Sequence, residues 1–269
     1  MTPDNPSSDS SPSNDEAAAS LPDAPADALP DARPKESPEI LISTASDPAL
    51  TEDLALALLK RSDLPAQALD QLSKNGDLMK IRKVKIAVVE HPKTPRHVSV
   101  PMVRHLFTFD LMHVALTPAV PADIKMTAED ALIHRLERLP QGERLSLAHR
   151  ASGRVAAELL HDPELRVIHA ALKNSRLTES AVVKALMRRD ASPALVEAVC
   201  QDSKWLVLRE IRMALLRNEA TPLGRALEFA QSLPAVLVRE ILGDSQLPAD
   251  VKERVLSDVK ESGEGRDWK

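Results

Sequence analysis

The sequence predicts an all-α protein, a right-handed α-solenoid of short helix pairs spanning residues 46–260. The first observation behind this is a helix-opening phrase that recurs at Leu64-Pro65, Thr94-Pro95, Val120-Pro121, Leu177-Thr178, Ser192-Pro193, Thr221-Pro222 and Leu247-Pro248. The successive spacings are 30, 26, 57, 15, 29 and 26 residues, and a degenerate copy at Ala151-Ser152-Gly153 divides the long gap into 31 and 26. A period near 26–31 residues suits stacked helix pairs, because one pair cannot bury its apolar face alone. The second observation is the absence of sustained period-two alternation, which argues against strands. The third is composition: 43% of residues are hydrophobic, but there are only three Phe, two Trp and no Tyr, so the core must be aliphatic.

The elements follow in order. A helix is expected from Pro48 to Lys60, with Leu50, Leu54 and Leu58 on one face. A short helix follows Pro65, and one from Asp77 to Glu90 carries Leu78, Ile81, Val84 and Val88. Pro101 should kink or split the helix opened by Thr94-Pro95, since an interior proline removes a hydrogen bond. From Pro121 the residues Ile124, Ala128, Leu132 and Leu136 stack, and Pro140-Gln141-Gly142 ends that helix. Short helices at 143–150, 153–160 and 163–172 come next, and Thr178 opens another that ends near Arg189. Pro193–Gln201 pairs with a helix over 204–217, and helices over 222–231, 234–242 and 248–260 complete the array. In Asp47-Pro48, Thr94-Pro95, Asp162-Pro163, Ser192-Pro193 and Thr221-Pro222, the polar side chain is read as the N-cap and proline as the first helical residue.

Charge divides the chain. Residues 1–38 hold eight acids, two bases and eight prolines, for a charge of −6, whereas residues 39–269 carry 32 acids and 33 bases. Residues 1–45 are therefore expected to be a disordered acidic tail, with a flexible tail at 261–269. The basic start and apolar run of a signal peptide are missing, and the longest apolar stretch, Leu54 to Leu59, is six residues. With a single cysteine as well, the expected location is the cytoplasm, with no membrane span.

The stretches EHPKTPRHVSVPMVRHL, KNSRLTESAVVKAL, LRNEATPLGRALEF and GDSQLPADVKERVL resemble bacterial HEAT-like repeat proteins, particularly the leucine-rich-repeat-variant type. The resemblance covers roughly residues 47–260, and Arg150-Ala151-Ser152-Gly153 departs from it. It implies a curved helical stack with a macromolecule-binding role and no catalytic residues.

Motifs for chemistry are sparse. Seven glycines never cluster into a phosphate-binding loop, and neither His-Glu-x-x-His nor Gly-x-Ser-x-Gly occurs. His105 and His113, like His161 and His169, are eight residues apart, or about 12 Å along a helix, too far to share a metal. Cys200 falls on an apolar face and reads as a core residue. An enzyme of the HEAT-like DNA glycosylase kind would need a paired Trp/Asp site that the sequence does not display. No catalytic residue, cofactor or metal is expected.

Basic pairs at i, i+3 remain: Lys80/Lys83, Arg135/Arg138, Arg166/His169 and Arg209/Arg212. Each pair shares a helix face, so together they could line a basic concave ridge; salt bridges to local acids are the plainer explanation. The leading expectation is a non-enzymatic scaffold that binds a protein through its concave surface. The alternative is nucleic-acid binding through that ridge, weakened by a folded-region charge of only +1 and by few aromatics.

Overall fold

The computed structural model describes residues 37–264, and among them it contains seventeen α-helices, three 3-10 turns and no strand. The helices are α1 (Pro38–Ala45), α2 (Glu52–Leu59), α3 (Ala66–Lys74), α4 (Arg82–Glu90), α5 (Arg96–Val103) and α6 (Thr108–Leu116). There follow α7 (Ala122–Ile133), α8 (Gln141–Arg150), α9 (Gly153–Glu158), α10 (Leu165–Leu172), α11 (Glu179–Leu186) and α12 (Pro193–Gln201). The chain continues through α13 (Ser203–Leu206), α14 (Arg209–Arg217), α15 (Leu223–Gln231), α16 (Ala235–Gly243) and α17 (Ala249–Glu264).

Several boundaries depart from the sequence reading. Residues 38–45, expected in the tail, form α1 and bury Leu41 and Ala45. The expected tail over 1–45 thus ends too late; residues 1–36 of it lie outside the described residues. At the other end α17 continues to Glu264. The helix expected over 48–60 is shorter, because Asp47 Oδ1 accepts from Ala49 N and holds a turn ahead of α2. The helix expected over 77–90 is a 3-10 turn at Leu78–Lys80 and then α4, separated by Ile81 with ψ 113°. The one expected over 204–217 is likewise α13 and α14, separated at Leu208 with ψ 126°. Pro140 does not end a helix but precedes one, with Glu143 N and Arg144 N donating to its carbonyl. Pro101 does not split α5, which continues to Val103.

Helix entry differs from expectation in one systematic respect. Pro65, Pro95, Pro121, Pro140, Pro222 and Pro234 occupy the N-cap itself, with ψ between 136° and 150°. Proline suits that position because its fixed φ is compatible and its carbonyl still accepts the first helical hydrogen bonds. The expected arrangement, N-cap side chain then proline, holds at Ser192, which accepts from Leu195 N. Thr178 and Ser152 cap in the same way without proline. Thr94 and Thr221 do not cap the helix ahead. Each hydroxyl donates to the end of the helix behind it, Thr94 to Val88 O and Thr221 to Leu215 O.

Packing runs in two interleaved series. In one, α5 packs on α7, α7 on α9, α9 on α11, α11 on α14 and α14 on α16, with α1 on α3 nearer the start. In the other, α2 packs on α4 and α4 on α6, α8 on α10 and α10 on α12, and α15 on α17. The two series touch where consecutive helices meet, most extensively at α6 and α7. Buried apolar side chains form one cluster from Leu41 to Val98 and a larger one from Val89 to Val259, and Met102 packs against both.

Buried side chains tie three of the turns to carbonyls 23–32 residues earlier. His91 Nε2 bonds Arg61 O while its Nδ1 accepts from Lys93 N. Asn174 repeats the device, donating to Ala148 O and Ala151 O and accepting from Arg176 N. Asn218 does so again, donating to Leu186 O and accepting from Ala220 N. All three are buried, so these bonds satisfy polar groups that water cannot reach. Trp205 adds a fourth link, from its indole N–H to Leu172 O.

Candidate functional site

The eight basic candidates do not fall on one series. Lys83 lies on α4, and Arg166 and His169 lie on α10, all in the second series. Arg209 and Arg212 lie on α14, and Arg135 and Arg138 follow α7, all in the first. Lys80 sits in the 3-10 turn before α4. Several have structural work. Arg135 donates to Leu106 O and Arg104 O, Arg212 to Leu206 O, and Lys80 pairs with Asp77 at 2.8 Å. Lys83 lies 4.0 Å from Glu52. Arg138, Arg166 and Arg209 are exposed and His169 is half-buried.

A different surface concentrates features of recognition. Phe107 and Phe109, two of the three phenylalanines in the chain, are 67% and 39% exposed at the start of α6. Phe107 is the N-cap residue of α6, and two positions later Phe109 points away from the helix's core face, where Leu111, Met112 and Val114 are buried. Arg82 reaches across from α4, its guanidinium carbon 5.4 Å from the centre of the Phe107 ring. A forked pair with Asp110 orients that guanidinium, with Nη2 to Oδ1 at 2.6 Å and Nε to Oδ2 at 2.9 Å. The Asp110 side chain is buried, whereas Arg82 is mostly exposed, and the pair holds the Arg82 guanidinium pKa above its usual value. Arg82 and Asp110 also line a cavity of about 570 Å³ together with Glu52, Ile81, Lys83 and Ile86. An aromatic pair beside a fixed arginine offers apolar area and directed charge at little entropy cost. Sequence reasoning passed over both phenylalanines, although Phe-x-Phe in a chain so poor in aromatics was a visible signal.

A second cavity, of about 430 Å³, lies between α9 and α11 and is lined by Arg154, Arg176, Lys184 and Arg188 with one carboxylate, Glu158. Its floor depends on Gly153, where a Cβ would overlap the Arg176 carbonyl oxygen. That contact explains why glycine stands where the phrase elsewhere carries proline. Arg154 pairs with Glu129 and Asp130, and Arg188 with Asp190 and Glu158. His161 borders this cavity and an adjoining one of about 440 Å³. Burial, and next the Arg188 charge, lower the His161 pKa.

Cys200 is buried, as the sequence suggested, and burial pushes its thiol up to about 11. Among the described residues, no group of three or more His, Cys, Asp or Glu side chains could hold a metal ion. Nor, among them, is any helix long and apolar enough to cross a membrane. Comparison with protein-family models, with curated proteins and with solved structures finds no match to this chain.

Proposed function

We propose that this chain is a non-enzymatic cytoplasmic scaffold, a right-handed α-solenoid of HEAT-like helix pairs, that binds another protein through the surface carrying Phe107, Phe109 and Arg82. The two interleaved packing series support the repeat architecture, as do the links of His91, Asn174 and Asn218 to carbonyls 23–32 residues earlier. Exposure of Phe107 and Phe109 beside Arg82 carries the binding reading, because interface hot spots are enriched in aromatic residues and arginine. The eight basic candidates contribute less to this reading, being divided between the series and partly occupied by backbone carbonyls.

The test compares proteins retained by the wild-type chain with those retained by a Phe107→Ala, Phe109→Ala double variant. Two lost anchors should weaken a specific partner by at least about thirty-fold, while the unfolding midpoint stays unchanged because both rings are exposed. Equal retention by both chains removes this surface from the reading. Retention on DNA or RNA that falls steeply with salt would replace the protein partner with nucleic acid.

A further inference from the structure

The cavity between α9 and α11 is lined by two cations that the fold leaves without carboxylate partners. Among the described residues, Lys184 on α11 and Arg176 in the preceding turn have no carboxylate within ion-pair distance. The Arg176 side chain makes only a 3.5 Å bond, to Arg150 O. Arg188, in contrast, is fixed by Asp190 at 2.9 Å and Glu158 at 3.4 Å, so its guanidinium forms a rigid wall. The hydroxyls of Thr178 and Ser180 share a 3.2 Å hydrogen bond at the N-terminal end of α11 on the same cavity, which leaves one hydroxyl proton between them for a ligand. His161 adds a ring. Its Nδ1 is the one buried side-chain atom among the described residues that lacks a hydrogen-bond partner.

We propose that this cavity is a binding site for the phosphoryl group of a phosphorylated ligand, held by Lys184 and Arg176 with one hydroxyl of the Thr178 and Ser180 pair. The number and kind of donors favour phosphate over carboxylate. Two cations carry twice the charge that one carboxylate neutralises, whereas a phosphomonoester offers three oxygens and nearly two charges. The first turn of α11 adds a favourable dipole end to this arrangement. A cavity of about 430 Å³ has room for more than the phosphoryl group, so the rest of the ligand extends towards His161 and the adjoining cavity.

Inorganic phosphate is the first probe, titrated into the full chain at constant ionic strength and followed calorimetrically. Saturable binding is expected, and Lys184→Gln or Arg176→Gln should each weaken it about ten-fold, the effect of one charge-assisted contact. Both side chains are exposed, so the variants should keep the wild-type unfolding midpoint without phosphate. Acetate at the same concentration should not compete. A phosphoserine peptide and ribose 5-phosphate then separate the sources, and the one that displaces phosphate at lower concentration identifies a protein or a small-molecule ligand. Absence of saturation at tens of millimolar phosphate, or equal affinity in wild type and both variants, overturns the site. Neither outcome bears on Phe107 and Phe109, which lie on α6 and its N-cap.

Discussion

At Thr221 a single side chain decides between two descriptions of the recurring helix opening. Its hydroxyl donates to Leu215 O at 2.6 Å, six residues back, and the residue is buried. Leu215 O also accepts from Asn218 N, so Thr221→Ala should cost about 0.5–1.5 kcal/mol, the net worth of one hydrogen bond, while Thr221→Ser keeps most of the stability. Thr221→Asp separates the mechanisms: an N-cap tolerates aspartate, but a carboxylate facing a carbonyl cannot donate. Denaturant unfolding of the three variants reads this directly, and a stable Thr221→Asp protein would restore the N-cap description. His161 supplies the pH dependence at this scale. Its folded pKa is depressed, chiefly by burial, so the unfolded chain binds a proton first as pH falls through the ordinary value near 6.5. Stability from this group is thus constant above about pH 6.5 and declines as pH drops towards the folded pKa. His161→Gln should flatten that decline when unfolding free energies at about pH 7.5 and about pH 5.5 are compared. Parallel losses in the two proteins would assign the titration elsewhere. The three buried bridges, His91, Asn174 and Asn218, were not legible in the sequence, because an isolated polar residue in a turn resembles any solvated turn residue until its depth is known.

Among elements, helix existence was legible and helix ends were not. Aliphatic periodicity located most of the helices from Pro193 onward to within a residue or two, since burial selects the apolar face. It could not detect the interruptions at Ile81 and Leu208, where apolar residues continue across a backbone that has turned extended. Nor could it detect α1, because a proline-rich acidic neighbourhood masks eight residues with only two buried side chains. Proline signalled six helix starts at which its place is the N-cap, a one-residue difference that dihedral angles reveal and a sequence does not. After Asp47-Pro48 and Asp162-Pro163, in contrast, the helices begin only at Glu52 and Leu165. Gly153 is the element-scale test of close packing. Its position against the Arg176 carbonyl requires a residue without Cβ, so Gly153→Ala should force α9 away from the turn before α11. Overpacking of this kind costs about 1–3 kcal/mol, to be measured by thermal or denaturant unfolding. An unchanged midpoint would mean that the turn moves freely, and that the cavity it borders is not rigid.

Over the whole molecule, the candidate surfaces were the least legible part, because they depend on which helices adjoin. The basic pairs share helix faces in sequence, but the packing assigns those helices to different series, while Phe107 and Arg82, 25 positions apart, meet. Packing also sets how the molecule should unfold. Apolar contacts form two clusters, Leu41 to Val98 and Val89 to Val259, joined around α4 and α5. In the proposed linear array, stability is a sum of local and nearest-neighbour contributions, so damage should remain near its origin. Leu72 is fully buried on α3 in the smaller cluster, and no helix beyond α7 contributes to that cluster. Leu72→Ala should cost about 2–5 kcal/mol locally. Native-state hydrogen exchange should then show amides of α2 to α4 losing protection while those of α8 to α14 keep theirs, because the larger cluster retains its own contacts. Uniform loss of protection across all helices would instead show that the junction near Met102 couples the clusters into one cooperative unit, and the array description of its energetics would fail.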